Sequence, residues 1–159
     1  MRHRLALLLA LAGCDDDPVH SLPDAPTAPD DAVDAAPACA AISGPGTMHG
    51  SSIAAPETWT AAGSPHIVPF DTSINAKLTI EACAVVRIAR NVFVSVRAGG
   101  AIETLGVAGR PVRIERSDPA SAWAQIRTLN GGTLSFTHTE IAGGGARLNT
   151  LAVFAASID

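Results

Sequence analysis

Three cysteines and five histidines carry most of the reactive chemistry that this 159-residue chain can offer. Cys14 ends an apolar run and is followed at once by Asp15, Asp16 and Asp17, whereas Cys39 and Cys83 stand far apart. Neither of the latter has a second Cys or a His at ligand spacing, and no Asp-rich calcium loop stands out, so no metal and no cofactor is expected. His138 and Glu140 lie two apart in "TLSFTHTEI", a spacing that places both on one face of a strand as a surface site, with a solvated polar face as the weightier reading. Ser117, Asp118 and Ser135 could be grouped with His138 as a hydrolase triad, but the Gly-x-Ser-x-Gly elbow is missing. Gly99 and Gly100 precede a strand rather than a helix, which argues for a corner and against a phosphate loop. Trp59 and Trp123 could stack on sugars, though packing is the stronger reading for Trp123. No residue is assigned a catalytic role.

The N-terminal residues suggest an address. Arg2 and Arg4 precede eight apolar residues, Leu5 to Ala12, far fewer than the roughly 20 that span a bilayer, so residues 1–13 read as an export signal rather than an anchor. Leu11-Ala12-Gly13-Cys14 closely resembles the lipobox of bacterial lipoproteins. The resemblance implies that the Cys14 thiol receives a diacylglycerol, that cleavage precedes it, and that the new amino terminus is acylated, giving stable membrane anchoring. Residues 14–38 then form a lipidated, disordered acidic tether: seven aspartates with no Lys or Arg, punctuated by proline. The expected location is the bacterial cell envelope. Asp15 resembles a retention signal of the inner membrane, and inner and outer membrane both stay open, with the outer membrane preferred.

With Cys14 lipidated, Cys39 and Cys83 are the remaining pair, and an oxidising compartment favours a disulfide between them. Such a bridge closes a loop of about 45 residues and adds some 3 to 4 kcal/mol on a chain-entropy argument. Two free, buried thiols are the alternative.

The elements that must position these groups are strands. Residues 39–65 read as a loop-rich entry segment, with turn punctuation at Ser43-Gly44-Pro45-Gly46, Gly50-Ser51-Ser52 and Gly63-Ser64-Pro65. From residue 66 to 159 the chain turns to short β-prone runs: "HIV", "KLTIE", "AVVRIA", "VFVSV", "AIETL", "PVRIER", "AQIRTL" and "TLSFTHTEI". Only Asn130-Gly131-Gly132 offers a hairpin turn. Brief bends between short strands suit a solenoid. A bend after Phe136 is expected to turn Thr137, Thr139 and Ile141 inward and His138 and Glu140 outward, since unpaired charge is costly in a core.

"LTIEACAVVRIA", "GGAIETLGVAGRPVRIERSD", "WAQIRT" and "LSFTHTEIAGGG" resemble successive coils of bacterial right-handed parallel β-helix proteins of the pectin-lyase-like class. Leu78, Ile80, Ala84, Val86, Ile88, Ile102, Pro111, Val112, Ile114, Trp123, Ile126, Leu134, Phe136, Gly143 and Gly144 match its pattern, over about residues 66 to 145. The resemblance implies an all-β, right-handed parallel β-helix. Ala82-Cys83 stands where the family commonly has Pro-Gly, consistent with a bridge replacing a turn. Solenoids need polar caps; none is evident, and the final "TLAVFAASID" suggests a β-helix incomplete at its C-terminal end.

The expected function is that of a membrane-anchored, non-catalytic envelope lipoprotein presenting a binding surface to a glycan or an envelope protein. Lyases of this fold use acidic calcium ligands and a basic residue on an outer face, so a polysaccharide-active lyase or hydrolase is the alternative; a non-functional fragment of a longer β-helix protein is a third reading. Nucleic acid is not expected. Residues 39–159 hold eight acidic and nine basic side chains, and the whole chain has only four Phe, two Trp and no Tyr for stacking.

Overall fold

The structure, a computed structural model, describes residues 38–145. The export signal, Cys14, the acidic tether up to residue 37, and the final run with its expected lack of a cap lie outside the described residues. Among the described residues the strands are β1 (Thr47–Met48), β2 (Ser52–Ile53), β3 (Glu57–Trp59), β4 (His66–Val68), β5 (Thr72–Ile74), β6 (Lys77–Glu81), β7 (Val85–Ile88), β8 (Phe93–Val96), β9 (Ala101–Leu105), β10 (Val112–Arg116), β11 (Gln125–Thr128), β12 (Thr133–Thr137) and β13 (Thr139–Ile141).

These strands form three parallel sheets. Sheet A runs β1-β4-β7-β10-β13, sheet B runs β2-β5-β8-β11, and sheet C runs β3-β6-β9-β12. The chain visits A, B and C in turn and then repeats one layer further on, which makes a right-handed parallel β-helix.

The alternation in each short run explains the architecture. In "KLTIE", Leu78 and Ile80 are buried while Lys77 and Glu81 are exposed, as a pleated strand with one face on a core requires. Parallel pairing without slippage then stacks like on like from coil to coil. Leu78 pairs with Ile102 and Ile102 with Leu134; Ile80 pairs with Thr104 and Thr104 with Phe136; Ile53 pairs with Ile74 and Ile74 with Val96. Each isoleucine fully buried in this way contributes about 1.5–3 kcal/mol. Thr104 is the polar member of its row, and its hydroxyl is satisfied by the next coil: it accepts the Thr137 N–H at 2.9 Å and lies 2.5 Å from the Thr139 hydroxyl.

Corners between sheets use left-handed backbone conformations. Cys83, Asn91, Asn130 and His138 all have positive φ, a region in which Asn and His are tolerated better than most residues. Asn130-Gly131, the one hairpin signal in the sequence, is such a corner, turning the chain from β11 in sheet B to β12 in sheet C.

The segment expected to be a loop-rich entry instead completes a coil. β1, β2 and β3 pair with β4, β5 and β6 through Thr47–His66, Ser52–Ser73 and Glu57–Leu78. Their two- and three-residue lengths explain why no periodicity announces them. Ahead of this coil, Cys39 forms the expected disulfide with Cys83, closing a sequence separation of 44. Residues 39–46 thus form a strap ending at Gly46, where φ is +81° and a Cβ would overlap the Pro65 carbonyl oxygen.

Replacing both bridge cysteines, Cys39→Ser with Cys83→Ser, is expected to lower stability by about 3–4 kcal/mol, because the unfolded chain regains the freedom of the closed loop. Urea unfolding measures this directly. An unchanged midpoint would show that the strap adds nothing to the helix.

Candidate functional site

His138 and Glu140, the surface pair expected from the sequence, do not share a strand. His138 is the left-handed corner residue between β12 and β13, with φ of +40°, and its carbonyl accepts the Val112 N–H at 3.0 Å. Glu140 lies in β13 in register with Arg113. The inward set differs in part from expectation. Thr139 and Ile141 align with buried Val112 and Ile114, though Ile141, on the last strand of sheet A among the described residues, is exposed; Thr137 aligns with exposed Leu105 and is itself exposed, because the bend falls at His138 rather than directly after Phe136.

The hydrolase grouping is likewise dispersed. Ser135 sits on sheet C opposite Glu103, whereas Asp118 is in the turn after β10 and accepts the Ala120 N–H at 2.9 Å. That backbone hydrogen bond, with a side-chain hydrogen bond from Ser121, holds the Asp118 carboxyl below its ordinary range. Trp123 is buried, donates its indole N–H to the Ala142 carbonyl at 3.0 Å, and lies so close to Gly144 that a Cβ there would stand 2.6 Å from the ring. Its role is packing, and the closing glycines make room for it.

The densest polar cluster was not singled out by sequence reading. It occupies the first turns of the helix and comprises His49, Glu57, Trp59 and His66. The Trp59 ring stacks against both imidazoles, with centroids 4.0 Å from His49 and 5.1 Å from His66, and the imidazoles are themselves 5.2 Å apart, so the three rings form a triangle. His66 Nε2 faces the Thr60 carbonyl at 2.9 Å, and since a carbonyl only accepts, this nitrogen carries the proton. In the neutral ring Nδ1 is then an acceptor, so His49 Nε2 donates to it across 3.0 Å. Glu57 accepts the Trp59 indole N–H at 3.1 Å and stands 3.8 Å from His49 Nδ1.

Register explains the location. Glu57 heads the row that continues as Leu78, Ile102 and Leu134, and Trp59 heads the row of Ile80, Thr104 and Phe136. Thr47 heads the row that continues as His66, Val86 and Ile114. The first residues of three inward rows are therefore polar or amphipathic, and the cluster is the polar cap of the apolar core at this end. The signal in the sequence is a His pair 17 residues apart, close to one coil, flanking an aromatic residue.

Chemically, the cluster resists protonation at both imidazoles, and a second proton is harder to add than a first. Burial lowers the affinity of His49 for a proton, as does its neighbour His66, while Glu57 raises it; burial also outweighs Thr60 and Glu57 at His66. A first proton on His49 Nδ1 meets Glu57. A second on His66 Nδ1 would turn that acceptor into a donor and oppose two cations across 3.0 Å. The two facing nitrogens leave no room for an ion between them, and no group of three or more metal-ligating side chains gathers among the described residues.

Comparisons with protein-family models, with curated proteins and with solved structures found no match to this chain.

Both imidazoles have folded-state affinities below the unfolded value, so the unfolded chain binds more protons as pH falls through about 6.5. Stability is expected to be fully present above that value and to decline below it until the folded-state values are passed. His66→Gln should flatten this part of the profile at some cost in stability at neutral pH. Thermal unfolding between pH 8 and pH 5 is the measurement, and an identical slope in the variant would assign the decline to other groups.

Proposed function

We propose that this chain is an exported, lipid-anchored protein of the bacterial cell envelope, whose pectin-lyase-like β-helix is a non-catalytic platform presenting its outer faces to a glycan or an envelope protein. The observation that carries the reading is the Cys39–Cys83 disulfide, a bond at home in an oxidising compartment and uncommon in the reducing cytosol. It agrees with the charged, apolar start of the chain and leaves Cys14 as the remaining thiol for acylation at a lipobox-like sequence.

The outer faces suit presentation. Sheet B stacks Ser52, Ser73 and Ser95 in one outward row, and sheet C stacks Thr58, Thr79, Glu103 and Ser135. On sheet A, Arg87 is held by Glu115 at 2.9 Å, beside a groove lined also by Arg116, Ser117, Pro119 and Ala142. These are regular rows of hydroxyl and charged groups on a rigid frame. The candidate acid and base of an enzymatic reading, Glu140 and His138, are divided between a strand and a corner.

In bacterial cells the protein is expected in the membrane fraction, extracted by detergent and not by salt, with Cys14→Ser releasing it. Mass spectrometry of the mature amino terminus should show acyl chains on Cys14, and an unmodified Cys14 would overturn the reading. Incubation with acidic polysaccharides should give no cleavage. Turnover abolished by both His138→Ala and Glu140→Ala would instead establish the enzyme.

A further inference from the structure

The outward side of sheet B carries two arginines that serines of the neighbouring coils orient. Arg127 Nε donates to the Ser95 hydroxyl at 3.0 Å, and Arg97 Nε donates to the Ser73 hydroxyl at 3.1 Å. Ser73 and Ser95 are direct partners on the adjacent strands β5 and β8. Arg127 continues the row of Ser73 and Ser95, and Arg97, two residues beyond Ser95, reaches back to Ser73, so the two guanidinium groups are anchored on serines of adjacent strands, about 4.8 Å apart by strand spacing. Ser95 points away from the core yet is only 5% exposed, consistent with the Arg127 side chain lying across it. The Arg127 guanidinium also stacks 4.4 Å from the Phe93 ring centroid, which fixes its plane.

Two like charges anchored on adjacent strands repel, and an anion bridging them relieves that repulsion. Neither arginine enters an ion pair among the described residues. Asp71, which precedes β5 of this sheet, accepts the Phe93 N–H at 2.9 Å. Each Nε is occupied by a serine, which leaves the Nη groups of both forks as donors toward solvent. A planar carboxylate matches a single fork. A tetrahedral dianion has enough oxygens for two forks and enough charge for both cations.

The geometry points to Arg97 and Arg127 as a binding site for a phosphoryl group on the outer face of sheet B. The site is independent of whether Cys14 is acylated. Its ligand is either a soluble phosphate ester or the headgroup of an anionic phospholipid, which share this chemistry.

The test titrates the purified full chain with inorganic phosphate and with acetate at constant ionic strength, following backbone amide NMR shifts of sheet B. Phosphate is expected to bind roughly tenfold more tightly than acetate, as charge-assisted bonds to two forks require. Arg97→Gln and Arg127→Gln should each weaken phosphate binding about tenfold, and the double variant should lose it, whereas Arg113→Gln on sheet A should not. Thermal unfolding establishes that the variants remain folded. Vesicles of phosphatidylcholine with and without phosphatidic acid separate the two sources: co-sedimentation that needs both phosphatidic acid and the arginines assigns the lipid, and phosphate binding without co-sedimentation assigns a soluble ester. Equal affinity for phosphate and acetate, or phosphate binding unchanged in the double variant, overturns the site.

Discussion

Every strand in this fold bonds only to the coils on either side of it, so parallel register between coils is the constraint on which everything else rests. A slip of one residue in any sheet would carry a whole row of side chains from the core to solvent. Row continuity is therefore what the sequence must protect. Ile53, Ile74 and Val96 do so in sheet B, and Leu78, Ile102 and Leu134 in sheet C. Thr104 departs from the apolar pattern inside a row, and its hydroxyl repays the exception by bonding to the coil above it. Larger departures are confined to the end of the stack, where Glu57, Trp59 and His66 meet fewer layers and can satisfy one another.

The same constraint decides which elements can be read from the chain. From His66 onward, runs such as "KLTIE" and "PVRIER" alternate clearly and become strands β6 and β10 within a residue or so. β1 to β3 carry no such alternation, since Thr47–Met48 is wholly exposed and Glu57-Thr58-Trp59 mixes charge with an aromatic ring. These segments take strand geometry from pairing with β4 and β6, which local pattern does not encode. Cys83 was legible as a bridge partner and, from its place where the resembled family commonly has glycine, as a turn residue, and it takes a left-handed corner conformation. His138 was legible as exposed and wrongly placed on a strand face, because one corner residue shifts the meaning of a spacing of two.

Sites were harder to read than strands for a related reason. His49 and His66 are 17 residues apart, Arg97 and Ser73 are 24 apart, and Arg127 and Ser95 are 32 apart. Only the last pair stands in direct register; the first two are diagonal contacts, because His66 pairs with Thr47 and Ser73 with Ser95. The turns around Val107–Arg110 and Asp118–Ser121 lengthen the coil between Ser95 and Arg127, so a fixed-period search misses these pairs. The two polar solutions also differ in kind. The histidine cluster is turned inward, where its proton positions are fixed by a carbonyl and a carboxylate; the arginines are turned outward, where serines fix their direction and leave their charge available.

The strap that precedes the first coil has a mechanical meaning. Cys39 is joined covalently to the corner of the third coil, while the strands of the first two coils lie within the closed loop between the two cysteines. Tension arriving along the chain from the N-terminal side of Cys39 and resisted toward the C-terminus can pass through sulfur directly to Cys83. The first two coils are bypassed by that load path, so pulling cannot peel them off strand by strand while the bond is intact. What looks like the fraying end of a solenoid is the part of it most sheltered from force.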